Sequence, residues 1–220
     1  MAEIKDGILG GVSGKIGNMV GYQWRGRNFL RTNPRLNKQK ASTAQQLQRE
    51  KFGLVSSFVN KIRNVVNLYS TELFIQHRKR TGKEQLISLL MKQCVTVLEG
   101  TPYLILDRVL LAIGTLPAAM GEQFQQHDPH TFLFTWDTQL INILSQPEDQ
   151  VTLLAYHDKL DEFYILKKIG TRQEGQLLFI LPLHWEIERL HFWSIWESIE
   201  GKRNSTSQYH LFVAEHERTT

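Results

Sequence analysis

The sequence predicts an α+β protein. It should carry an N-terminal Gly-rich β-hairpin, a helical middle and a C-terminal antiparallel β-sandwich of the Ig/fibronectin III-like kind. Three observations predict this. Gly10, Gly14, Gly17 and Gly21 interrupt any long helix before residue 34, each at a cost of roughly 1 kcal/mol against Ala. Apolar residues then recur at helical spacing between 43 and 98. From residue 101 the period shortens to two, or gives way to short apolar runs bounded by turn signals.

The hairpin is read in "NMVGYQWRGRNFLRT". Val20, Tyr22 and Trp24 share one side, and Arg25-Gly26 forms a tight turn into Asn28, Phe29 and Leu30. Residues 35–42, "RLNKQKAS", are a basic polar connector. Thr43 can cap a helix running to Tyr69, in which Leu47, Leu54, Val55, Phe58, Ile62, Val65, Val66 and Tyr69 fall on one face. Thr81 and Glu84 have capping-box spacing for a second helix, expected to run through "QLISLLMKQCVTVLEG" to Gly100. Its apolar positions wrap more than one face, which predicts burial. Seven strands follow: "YLILDRVLLAI", "TFLFTW", "QVTLLAYH", "EFYILKKIG", "GQLLFILP", "RLHFWSIWES" and "TSQYHLFVA". Turn signals such as "QPEDQ", "RQEG" and "EGKRN" lie between strands, as a sandwich requires.

Charge divides the chain. Residues 1–100 hold 17 Lys and Arg against 6 Asp and Glu, a balance of +11, whereas residues 101–220 hold 9 against 16, a balance of −7. This suggests a basic domain over 1–100 and an acidic sandwich domain over 101–220, with surfaces for different partners or for each other. An apolar share of 41% is enough for a packed core. The single cysteine, Cys94, permits no disulfide within the chain and suits a reducing compartment. No run of 18 apolar residues exists, so a membrane partner is not expected. Glu3, Asp6 and glycines stand where a signal peptide needs apolar residues. The expected location is the cytoplasm, or export without a signal peptide in a virion or an injection-type machine.

The pieces "GILGGVSGKIGNMVGYQWRGRNFLRT", "TAQQLQREKFGLVSSFV", "LLAIGTLPAA", "FTWD", "VTLLAYH" and "HFWSIWESIEGKRNSTSQYHLF" resemble, in that order, an uncharacterised bacterial family catalogued as a domain of unknown function. Its most specific part is the N-terminal pattern GILGG-x-SGK-x-GN-x-VGYQWRG. The resemblance implies an N-terminal Gly-rich motif, a β-rich C-terminal half and no known activity. The acid-rich turn in "HDKLDEFYILKK" departs from it, because the resemblance implies a shorter hairpin there. A looser likeness is to virion-associated proteins of bacteriophages, carried by Gly14-Lys15, Arg25-Gly26, Arg31, Pro34, Thr43, Gln46, Arg49 and Phe52.

No catalytic constellation emerges. Gly14-Lys15 has Leu9 where a P-loop needs its first glycine, and Ile16 where it needs a hydroxyl for magnesium. Ser13 lacks the trailing glycine of a nucleophile elbow. His127 and His130 in "HDPH" flank Asp128, but Pro129 makes this a surface turn with no third ligand. Glu186 and Glu188 would face the same side of a strand, where a hydrolase could use them as acid and base; a solvated strand face is the plainer reading. Cys94 has apolar neighbours and reads as a buried thiol. Trp136, Trp185, Phe192, Trp193 and Trp196 read as core, against a carbohydrate- or peptide-binding alternative. No catalytic residue, cofactor or metal is expected.

The basic N-terminal segment remains. Residues 7–40 carry seven Lys and Arg and no acid. One reading is a solvated loop that offsets the acidic half. Two others give it work. The hairpin can add to a neighbouring subunit, its glycines permitting close backbone approach. Alternatively, its cations contact nucleic-acid phosphates while its aromatics stack on bases. The candidate interaction residues are Lys15, Tyr22, Trp24, Arg25, Arg27, Phe29, Arg31, Arg35, Lys38 and Lys40. The preferred reading is a non-enzymatic structural or interaction protein that assembles with itself or a larger particle. The alternative is a nucleic-acid-binding protein using residues 15–40.

Overall fold

The computed structural model describes residues 3–4, 11–24, 26–33, 40–69 and 82–214. Helix α1 (Thr43–Lys61) and helix α2 (Arg63–Tyr69) follow from the apolar spacing. Val55, Phe58, Val65, Val66 and Tyr69 are buried along one face. The single helix expected over 43–69 is interrupted at Ile62, whose side chain is nevertheless fully buried. Helix α3 (Gly82–Gln93) buries Leu86 and Leu90. Thr81, the expected cap, lies outside the described residues.

Helix α3 stops short of Gly100. Strand β5 (Val95–Leu98) and strand β6 (Thr101–Leu104) form a hairpin instead. The β-branched run "VTV" favours extended backbone. Glu99 and Gly100 both have positive φ, at 50° and 83°, as a two-residue hairpin turn requires. The strand expected over "YLILDRVLLAI" is likewise cut short. After β6 the chain makes a 3-10 turn at Leu106–Arg108, then runs as buried irregular backbone through Val109, Leu111 and Ala112.

Beyond this point lie β7 (Gln123–Gln126), β8 (Thr131–Thr135), β9 (Gln150–His157), β10 (Glu162–Thr171), β11 (Gln176–Ile180), β12 (Arg189–Glu197) and β13 (Gln208–Val213). Two antiparallel sheets result, in the orders β10-β9-β12-β13 and β11-β8-β7. They face each other across an aromatic core. Phe124 of β7 stacks on Phe192 of β12 at 4.5 Å, and Phe132 of β8 meets Phe212 of β13 edge-on at 4.9 Å. The opposite face of the larger sheet presents Leu154, Tyr156, Trp193 and Ile195 to the helices, in one core with Val55, Phe58, Ile62 and Leu90. Helices, large sheet and small sheet therefore form three layers.

The acid-rich segment after β9 is a turn of residues 158–161, with His157 paired to Glu162 across it. Among the described residues, no helix is long and apolar enough to cross a membrane.

The chain divides into two compact units, Met1–Thr43 and Ala44–Thr220. The helices share a core with β9 and β12, so the charge boundary near residue 100 runs through that core. The first unit is an antiparallel sheet, β1 (Glu3–Ile4), β2 (Val12–Ile16), β3 (Met19–Trp24) and β4 (Arg27–Thr32), in chain order. The expected hairpin is β3–β4, closed by Trp24 opposite Arg27, with Gly26 at φ 74° in the turn. Strands β1 and β2 extend it into a meander. In β2, "VSGKI", a central glycine and two polar residues mask the strand pattern.

Candidate functional site

Directly opposed residues of antiparallel strands project from the same face of the sheet. Lys15 opposes Val20, and Val20 opposes Arg31. Tyr22 opposes Phe29, and Trp24 opposes Arg27. Six of the expected interaction residues, Lys15, Tyr22, Trp24, Arg27, Phe29 and Arg31, therefore share one face. Alternation along β3 places them there, with Val20 between the cations of the first row. Lys40 is exposed in the segment leading to α1. Arg25, Arg35 and Lys38 lie outside the described residues.

The side chains on this face form a continuous strip. The Tyr22 and Phe29 rings stack at 5.5 Å, 20° from parallel. Trp24 tilts onto Phe29 at 6.3 Å. The guanidinium of Arg31 lies 5.5 Å from the centre of the Tyr22 ring, within cation–π range. Trp24 is 57% exposed and Tyr22 40%. The other face carries Ile16, Met19 and Leu30, which are also exposed. Among the described residues of this unit, no large apolar side chain is buried.

Gly21 is buried at the centre of that second face. A Cβ there would stand 2.3 Å from the Val12 carbonyl oxygen. The close approach that this glycine permits is thus to the chain's own β2.

The remaining candidates belong to the larger unit. Trp136, Trp185, Trp193 and Trp196 are all buried and serve as core. Trp193 Nε1–H donates to the Val109 carbonyl at 2.9 Å, and Trp136 Nε1–H to the Arg172 carbonyl at 2.8 Å. Cys94 is fully buried, its thiol donates to the Arg108 carbonyl at 3.2 Å, and burial pushes its pKa up. Glu186 and Glu188 do not stand on a strand: both precede β12 in the loop after β11, where Pro182 and the Leu183–His184 turn end the extended run.

Sequence reasoning missed a buried ion pair and a buried carboxylate. Arg172 Nε donates to Asp149 Oδ2 at 3.3 Å, both side chains being fully buried, while its guanidinium lies 4.8 Å over the Trp196 ring. Burial lowers the Arg172 pKa, and Asp149 opposes that shift. The buried carboxylate is Glu122, whose side chain is 1% exposed. Its carboxylate accepts from Ser194, from Trp196 Nε1 at 2.7 Å, and pairs with His210 Nε2 at 2.9 Å. Ser194 donates straight to the carboxylate, with no imidazole between, so this set lacks the base-to-serine contact of a hydrolytic triad. The available signal was an acid flanked by glycine in a segment without strand pattern, which alone does not predict burial.

Among the described residues, no group of three or more His, Cys, Asp or Glu is placed to hold a metal ion. His127 and His130 do not converge on a third ligand. Instead, the "HDPH" turn and the Trp185–Ile187 segment line one open groove.

A family model described as a family of unknown function, DUF6266, matches residues 11–210. The match covers both units, and the chain belongs to that family. No curated protein matches the chain.

Proposed function

We propose that this member of a family of unknown function is a non-enzymatic assembly module, which joins copies of itself or a larger particle through its basic N-terminal sheet. One observation carries the reading: a sheet with apolar side chains exposed on both faces. A few strands are marginal in water unless an apolar face is covered, and exposed contiguous apolar surface marks an interaction site. The cations on the aromatic face add selectivity, since charge complementarity excludes wrong partners more than it adds affinity. The N-terminal likeness to virion-associated proteins makes a particle the natural setting. It fits a protein that works in the cytoplasm or leaves the cell as part of such a particle.

The test is mass by light scattering across protein concentration. Wild type should grow in mass, whereas Trp24→Ala should associate at least tenfold more weakly and deletion of residues 1–34 should give a monomer. Circular dichroism of the deletion should retain helix and strand. If wild type and deletion are both monomers at every concentration, the reading fails.

A second reading, nucleic-acid binding, draws on Lys15, Arg27 and Arg31 sharing one face with three aromatics. Three phosphate contacts give a log-affinity against log-salt slope of roughly −3. Against it, the Tyr22 ring already stacks on Phe29 and holds Arg31, so a base must displace these contacts. Absent or salt-independent binding to a duplex removes this alternative.

A further inference from the structure

One end of the sandwich gathers three connections: the β7–β8 turn with His127–His130, the β9–β10 turn with Asp158–Asp161, and the β11–β12 loop. They are stitched together. Leu181 N–H donates to the His130 carbonyl at 2.9 Å. His157 Nε2 lies 3.1 Å from the Glu186 carbonyl oxygen. Lys159 Nζ meets Glu188 at 2.5 Å, and His184 Nε2 meets Glu162 at 3.0 Å.

This end is acidic. Asp128, Asp158, Asp161, Glu162, Glu186 and Glu188 lie in or beside these connections, against Lys159 and Arg189, with Lys61 of α1 bound to Asp161. The groove between the first and third connections has a volume of about 730 Å³, and Asp128, His130 and Glu186 are on its walls. His130 Nδ1 is buried there without a hydrogen-bond partner. Leu160 and Leu183, exposed at 44% and 78%, supply apolar contact on the same end.

We propose that the acidic end of the sandwich is the docking surface for the cationic aromatic face of the N-terminal sheet of a second copy of this chain. The inference rests on the assembly reading above and names its partner surface. Charge complementarity selects the occupant. Lys15, Arg27 and Arg31 stand on one face with Tyr22, Trp24 and Phe29; the acidic end offers carboxylates around an open groove of about 730 Å³, with exposed leucines beside it for the rings. Two different surfaces meet, so the contact is heterologous. Copies added head to tail make rings or open filaments rather than two-fold dimers.

Two charge-reversed variants of the full chain test this by sedimentation and light scattering. The first carries Arg27→Glu and Arg31→Glu on the sheet; the second carries Asp128→Lys and Glu186→Lys on the acidic end. All four positions are exposed, so both variants should melt as wild type does. Each alone should associate at least tenfold more weakly than wild type. Mixed in equal amounts they should recover assembly, because each sheet then meets an oppositely charged end. If the sheet variant loses assembly while the acidic-end variant keeps it, the assembly reading stands and this partner surface is wrong. If the sheet variant and the 1–34 deletion both assemble as wild type does, the underlying reading falls and takes this inference with it. A wild type that stays monomeric and binds duplex DNA in a salt-dependent manner overturns both.

Discussion

The N-terminal sheet and the β10-β9-β12-β13 sheet solve the same problem in opposite ways. Along β12 every residue after Arg189 is buried, because helices cover one face and the small sheet the other. Along β3 only Gly21 is buried, and both faces show apolar side chains to water. A sheet covered on both sides reads as a near-continuous apolar run, here "LHFWSIW". The N-terminal sheet instead mixes apolar and polar residues on each face: Val20, Tyr22 and Trp24 stand with Lys15, Arg27 and Arg31 on one, and Met19 and Leu30 with Gln23 and Asn28 on the other. Buried apolar packing is concentrated in the first region and exposed apolar surface in the second.

The largest effect should come from Trp193→Ala. Its indole is fully buried between Tyr209 and Phe163 and donates a hydrogen bond to the Val109 carbonyl. Truncating a buried Trp costs about 3–5 kcal/mol. Trp24→Ala, by contrast, should leave the melting of residues 44–220 within about 0.5 kcal/mol of wild type. Urea unfolding of both variants measures the contrast. Equal losses would show that Trp24 also belongs to a core.

A smaller effect sharpens the same point through pH. His191 is buried on β12, with Nδ1 2.7 Å from the Tyr209 hydroxyl and Nε2 3.8 Å from Asp158. Burial pushes its pKa below the ordinary 6.5; the Asp158 carboxylate works against that shift and Arg189 adds to it. The folded state thus keeps His191 neutral at a pH where the unfolded chain protonates it. The stability this contributes is present above pH 6.5 and is lost as pH falls through the folded value, with a slope of at most about 1.4 kcal/mol per pH unit for one proton. Unfolding curves between pH 7.5 and 5 should show the decline, and His191→Gln should flatten it. Glu162, whose pKa His184 and Trp185 lower from 4.5, acts only at more acid pH. A decline unchanged in His191→Gln would assign it to other groups.

Much of the fold was legible because its signals are local. The alternation of Val20, Tyr22 and Trp24 gave β3, and the spacing of Leu47, Leu54, Val55 and Phe58 gave α1. The strands from residue 131 onward stand close to where their apolar runs predict. What was hidden depends on partners distant in sequence. Strand β7 has one apolar residue, Phe124, and exists because β8 supplies its hydrogen bonds and Phe192 its packing. The apolar residues of "VTVL" fit a helix as well as a strand, and the Glu99-Gly100 turn decides between them. The common face of Lys15, Tyr22, Trp24, Arg27, Phe29 and Arg31 needed the register of three strands, of which the sequence declared only two. The acidic end could not be read at all, since its three connections lie up to about 60 residues apart and meet only in the folded sheet pair.

The smallest effect on the larger unit should come from Gly21→Val, which nevertheless should be severe where it acts. The added Cβ would stand 2.3 Å from the Val12 carbonyl oxygen and 2.9 Å from its carbonyl carbon. Those are backbone atoms, so no flexible side chain can swing away. Valine at this position must push β2 off β3, removing the pairs Gly14–Gly21 and Lys15–Val20. Amide hydrogen exchange across residues 12–32 should then accelerate at least tenfold, while the melting of residues 44–220 moves by less than about 0.5 kcal/mol. Assembly should weaken too, but for a different reason than in Trp24→Ala: one variant loses the sheet that presents the face, the other keeps the sheet and loses the face. Exchange rates separate the two, because Trp24→Ala should leave the protection of β2 and β3 in place. If Gly21→Val lowers the stability of residues 44–220 as far as Trp193→Ala does, the two units unfold as one body, and the N-terminal sheet is part of the core rather than a surface held out for a partner.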